Sequence, residues 1–141
     1  MPLVRRELPD ATLTIVGRSP GPEVRALGGV VADVPDLRPW LWGAAVYACP
    51  MESGTGIKNK LLEAMAAGAP AVATSLACQG IDARHVVVAD SDAEFAAGLV
   101  ALLRDRQRAG KQADAARAYV RARHDWDAVA AAYLALYQDI A

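Results

Sequence analysis

The sequence predicts an α/β fold: a parallel sheet with helices on both faces and a C-terminal helical extension. Three observations predict it. Short runs such as Ala45–Cys49 and Pro70–Ala73 are continuously apolar instead of alternating, which is how strands buried on both faces of a parallel sheet read. Helical patterns separate several of these runs, as strand–helix–strand units require. From Asp92 onward only helical periodicity remains.

Composition bounds the function. The 141 residues are enough for one core and too few for two ordinary domains, so residues 1–141 read as a single domain. Hydrophobic residues make up 54% and charged residues 22%, which excludes a disordered chain. The net charge of −1 argues against nucleic acid as a partner, so an anionic ligand must be held by local groups. No apolar run approaches ~18 residues and the first residues carry no signal-peptide core, so the expectation is a cytoplasmic protein without a membrane span. Cys49 and Cys78 lack metal-site spacing and read as small buried hydrophobes.

Taken in order, residues 2–8 read as the tail of a helix. Thr12–Val16 is the first strand, running into the Gly17–Pro22 loop, and Val30 and Val31 form a short second strand. Asp33–Asp36 makes a turn, with Asp36 placed to cap a helix over Leu37–Gly43. Ala45–Cys49 is the third strand. A glycine-bearing loop, Glu52–Gly56, then leads into a helix with Leu61, Leu62, Met65 and Ala66 on one face, which Gly68 stops. Pro70–Thr74 and His85–Ala89 are the fourth and fifth strands. Phe95, Leu99, Leu102 and Leu103 mark the next helix, Arg106–Arg123 a charged, alanine-rich one, and Trp126, Val129, Tyr133, Leu136, Tyr137 and Ile140 the last.

The chemistry concentrates at Pro50–Glu63. In an open parallel sheet, ligands bind beyond the carboxyl ends of the strands, where this loop sits. Gly54 and Gly56 let backbone approach a ligand, and the following helix points free N–H groups and its positive dipole end at the same place. Lys58 and Lys60, expected in the first turn, oppose that dipole by a few tenths of a kcal/mol each, a cost that an anion such as a diphosphate would offset. A capped helix with a solvated lysine face accounts for the same residues, so this run alone leaves the choice open. Neither a Walker A loop nor a Gly-x-Gly-x-x-Gly fingerprint is present.

The run from Pro50 to Thr74, which contains Gly54-Thr55-Gly56-Ile57-Lys58-Asn59-Lys60-Leu61-Leu62-Glu63-Ala64-Met65-Ala66-Ala67-Gly68, resembles the signature of group 1 glycosyltransferases. Thr14–Gly17, Asp36–Pro39 and His124–Trp126 resemble flanking segments of the same family. The resemblance implies a Rossmann-like domain, the C-terminal donor-binding half of the two-domain GT-B architecture. It implies a nucleotide-diphosphate sugar as donor substrate, with no metal and no further cofactor. Glu63 would then accept hydrogen bonds from the ribose hydroxyls. Gly54, Thr55 and Gly56 would lie against the diphosphate and sugar, Lys58 and Lys60 would support the anion, and Asp33 and Val34 would meet the base. Gly56, Lys60 and Glu63 are the residues expected to carry catalysis. Thr55 stands eight positions before Glu63, where many relatives have a first glutamate, and Glu52 stands eleven before it.

The resemblance also implies an N-terminal acceptor domain and a strand ahead of Thr12, lying between Thr12–Val16 and Ala45–Cys49. Without that strand, the two either close up or a partner copy completes the sheet. The alternative function is a non-enzymatic interaction module or orphan subunit using the exposed face of the last helix. Asp90-Ser91-Asp92 matches a metal-binding Asp-x-Asp, but Ser91 and Glu94 stand at capping-box spacing and read as a helix start. His85, at the head of a strand, and His124, at the end of a helix, read as structural.

Overall fold

The computed structural model describes residues 1–140 in backbone and residues 1–138 in side chain. In chain order the elements are α1 (Pro2–Glu7), β1 (Ile15–Gly17), α2 (Pro22–Ala26), β2 (Val30–Ala32), α3 (Arg38–Trp42) and β3 (Tyr47–Cys49). They continue with α4 (Asn59–Ala67), β4 (Ala71–Ala73), a 3-10 turn at Ala83–His85, β5 (Val87–Val88), α5 (Asp92–Arg104), α6 (Arg106–Arg123) and α7 (Trp126–Ile140).

The strands form two parallel sheets. β1 pairs with β2 through Ile15–Val30 and Val16–Val31, while β4 lies between β3 and β5 with Val72 opposite Ala48 and Val87. β1 and β3 have not closed up on each other, so that expectation fails: among the described residues no hydrogen-bonded ladder joins the sheets. The packing differs between the two: β4 and β5 pack on α4 and α5, whereas α2, which connects β1 to β2, buries none of its residues.

β4 shows how the layers are built. Successive strand residues point to opposite faces. Ala71 and Ala73 face Leu61 and Met65 of α4 and Ala116 and Val120 of α6, whereas Val72 faces Leu102 of α5. All three strand residues are buried, which explains their unbroken apolar run. α1 packs on the α5 side, tied there by Arg104 donating to Glu7 at 2.9 Å.

Several local expectations hold. Gly68 ends α4 at φ 78, a left-handed cap. Ser91 and Glu94 form the capping box that starts α5, so the Asp-x-Asp reading is not needed. Cys49 and Cys78 are both buried in one core cluster. Other expectations need correction. The strands are shorter than their apolar runs, because ladder pairing starts at Ile15 and Tyr47, not at Thr12 and Ala45. His85 ends a 3-10 turn instead of starting a strand, since Asp82 caps that turn by accepting from the Arg84 N–H. Asp36 accepts from the Arg38 N–H at 2.9 Å, but Leu37 holds the cap position. Ile140 of the last apolar stripe lies outside the described side chains.

Candidate functional site

The glycine loop and the start of α4 lie at the carboxyl end of β3. Pro50 ends the strand, and Gly54 and Gly56 adopt φ of 116 and 70, values that favour glycine. A Cβ on Gly56 would meet no atom within 4 Å, so that glycine opens space as well as bending the chain.

Lys58 departs from the sequence reading. It precedes the helix in extended backbone at φ −89 and ψ 91, and its carbonyl accepts the Leu61 N–H at 2.9 Å. Its side chain is 6% exposed and folds back so that Nζ donates to the Gly56 carbonyl at 2.8 Å. An ammonium has three donors, and no carboxylate among the described residues lies within ion-pair distance of this one. Lys60 does sit in the first turn of α4, exposed. No side chain caps the start of that helix, which leaves its first N–H groups for solvent or a ligand.

Glu63 is exposed and lines a groove of about 490 Å³ between α3 and α4, opposite Asp36, Arg38 and Trp42. Arg38 hydrogen-bonds the Asp36 carboxylate with both Nε and Nη2, which holds it below the usual carboxylate range. Thr55 is exposed on the loop.

Asp33 and Val34 belong to the other sheet. Asp33 has φ 55, donates its N–H to the Gly17 carbonyl at 3.0 Å, and accepts the Ser19 N–H on Oδ1 at 2.9 Å. Ser19 is itself at φ 46. The loops after β1 and β2 are therefore fastened together in backbone conformations that cost about 1–3 kcal/mol each, and this strain sits at the carboxyl end of the sheet, where ligands bind. Asp33 spends its carboxylate on that fastening, leaving backbone for any ligand contact.

Cys49 lies at the end of β3 and packs in the core cluster with Leu61 and Met65; burial pushes its thiol up, against the smaller opposite pull of Lys60 and Lys58. Tyr119 takes up both histidines: its hydroxyl lies 2.9 Å from His124 Nε2, and its ring stacks on His85 at 4.8 Å. Among the described residues no group of His, Cys, Asp and Glu could hold a metal ion, and no helix is long and apolar enough to cross a membrane.

Two residues that fasten α6 to the start of β4 and to the end of α4 escaped the sequence reading. Gln112 of α6 pairs with both the N–H and the carbonyl of Ala71, at 2.9 and 3.2 Å. Arg117 donates to the Ala67 carbonyl at 2.8 Å and lies across Gly68, closing the C-terminal end of α4. Both contacts join residues far apart in the chain, and no local spacing signals them.

A family model described as glycosyl transferases group 1 matches residues 1–105. A phosphatidyl-myo-inositol mannosyltransferase of Mycobacterium leprae is 32% identical, over 100% of this chain and 41% of its own length. The protein of the same name from Mycolicibacterium smegmatis is 33% identical, over 99% of this chain and 40% of its own length. One from Propionibacterium freudenreichii is 37% identical over 54% of this chain. The chain thus spans about two-fifths of the length of the first two relatives. It belongs to the group 1 glycosyl transferases.

Proposed function

We propose that residues 1–141 form the donor-binding half of a retaining, metal-independent glycosyltransferase that takes a nucleotide-diphosphate sugar. The observation that carries this reading is Lys58, a buried lysine with no anionic partner among the described residues, braced on the glycine loop at the uncapped start of α4. Burying a charge is costly unless it is paired, and a diphosphate at this helix start would supply the pairing. Gly54, Thr55 and Gly56 line the anion's approach, Lys60 adds a second cation, Glu63 takes the ribose diol, and backbone at Asp33 and Val34 meets the base.

In transfer, the bond between the sugar's anomeric carbon and the diphosphate oxygen breaks, and the nucleoside diphosphate leaves with the electron pair. The acceptor hydroxyl oxygen bonds to that carbon on the face the diphosphate leaves, as retention requires, and its proton passes to the departing diphosphate oxygen. Gly56, Lys60 and the N–H groups at the start of α4 stabilise the leaving charge, and Glu63 holds the nucleoside in place. The acceptor site belongs to an N-terminal domain, so this chain alone is inactive in transfer. Calorimetric titration with UDP, GDP and ADP tests the reading. Saturable binding of at least one is expected, and heat indistinguishable from dilution for all three would reject it.

A second reading, a non-enzymatic interaction module, is favoured by one observation: Trp126, Tyr133 and Tyr137 of α7 are 85%, 60% and 71% exposed. Nucleotide binding separates the two readings, because the module has no use for the buried cation.

A further inference from the structure

The glycine loop rests on the turn that follows β4. Among the described residues, the Gly56 carbonyl is the only backbone group between Glu52 and Ile57 that is hydrogen-bonded, and Lys58 holds it. The loop therefore owes its shape to what grips its ends. At the other end Thr74, one residue past β4, donates its hydroxyl to the Met51 carbonyl at 2.7 Å and accepts the Ala77 N–H at 3.2 Å. The Cys49 carbonyl accepts both the Met51 N–H at 3.0 Å and the Thr74 N–H at 3.3 Å, so β3, the loop and the turn meet at one point. The Met51 side chain packs on the core cluster, and its Cε lies 3.8 Å from where a Cβ on Gly54 would stand.

The turn itself is well fastened. Cys78 donates its N–H to the Thr74 carbonyl at 3.2 Å and Ile81 donates to the Cys78 carbonyl at 2.9 Å, while Ala77, Cys78 and Ile81 are buried in the core cluster. The Ser75 N–H donates to Asp90 Oδ1 at 2.8 Å, which ties the turn to the segment after β5. At the far end Gly80 has φ 77, and a Cβ there would stand 2.8 Å from Ile57 Cγ1, so Ile57 packs against bare backbone. We propose that this turn is the platform that positions the glycine loop, and that Thr74 is its positioning residue. Thr74 acts through Met51: fixing that carbonyl holds Gly54 in place and so sets the affinity for the donor. Threonine suits the task because one hydroxyl both donates and accepts. A loop held in shape before binding also avoids the ordering cost that would otherwise subtract from affinity. The effect on affinity rests on the donor-binding reading, whereas the effect on the ligand-free loop does not.

Three variants of the full chain test it. Thr74→Val keeps the shape and removes the hydroxyl, Thr74→Ser keeps the hydroxyl, and Ile57→Ala removes the packing at the half-exposed far end. Each is followed by amide nuclear magnetic resonance without ligand and by calorimetry with UDP, GDP and ADP, with circular dichroism to verify folding. In ligand-free Thr74→Val the Gly54 and Gly56 amides are expected to shift and their order parameters to fall. Affinity for the nucleoside diphosphate that the wild type binds is expected to drop about fivefold, the value of one hydrogen bond. Thr74→Ser should restore both. A Thr74→Val protein with a lower denaturation midpoint but wild-type loop amides and affinity would overturn the proposal, as would a Thr74→Ser protein that behaves like Thr74→Val. If Thr74→Val does not fold, Ile57→Ala decides: lowered order at Gly56 is expected, and wild-type order there would overturn the proposal. A wild type that binds none of the three diphosphates rejects the donor-binding reading alone, and the ligand-free loop still decides whether Thr74 positions it.

Discussion

Lys58 Nζ donates to the carbonyl of Gly56 at 2.8 Å, so the buried cation and the glycine loop form one unit. Two donors of the ammonium remain for a ligand. Lys58→Met keeps the aliphatic stem and removes the charge. It should leave the fold intact and weaken nucleoside diphosphate binding at least tenfold, about 1.4 kcal/mol, measured by calorimetry. Lys60→Met, at an exposed position, should cost less.

Gly56 and Gly68 should respond differently to alanine. At Gly56 the left-handed φ of 70 costs about 1–2 kcal/mol and nothing obstructs the new methyl, so the variant should fold and lose ligand affinity. At Gly68 the methyl would also run into the Arg117 guanidinium. Gly68→Ala should therefore lower the chemical-denaturation midpoint distinctly more than Gly56→Ala.

Glu63 is exposed, so Glu63→Ala should change stability by less than ~0.5 kcal/mol. Its effect should appear in discrimination. The wild type should prefer a ribonucleoside diphosphate to its 2′-deoxy counterpart by about tenfold, the value of one charged hydrogen bond, and Glu63→Ala should bind both alike.

Acid should destabilise the chain through Asp82 and Glu94. The Arg84 side chain and N–H hold the Asp82 carboxyl well below its ordinary range, and the Ser91 side chain and N–H lower Glu94. For a carboxylate depressed on folding, the stabilisation is complete above the unfolded pKa of about 4 and is lost as pH falls through the folded value. Denaturation midpoints should thus fall below about pH 4, and Asp82→Asn should flatten that fall.

Local chemistry made much of this fold legible. Ser91 and Glu94 announce α5, Gly68 ends α4, and α6 spans Arg106–Arg123 as its composition suggests. α2 escaped because Pro22, a good first helical residue, sits in a glycine–proline run that reads as loop. The glycine loop was visible as a candidate anion site. The inward turn of Lys58 was not, because a lysine one residue ahead of a helix is usually solvated, and only the packed structure shows it buried. The division into two sheets depends on which strand edges meet, and sequence periodicity carries no such information.

The most direct test of the anion site is a nuclear magnetic resonance titration of the amides of the full chain with UDP, GDP and ADP, repeated on Lys58→Met. The account predicts that the earliest and largest shifts fall within Gly54–Glu63, with smaller ones at Asp33 and Val34, and that Lys58→Met abolishes them at the same concentrations. Shifts confined to other surfaces, or a Lys58→Met protein that responds like the wild type, would contradict it.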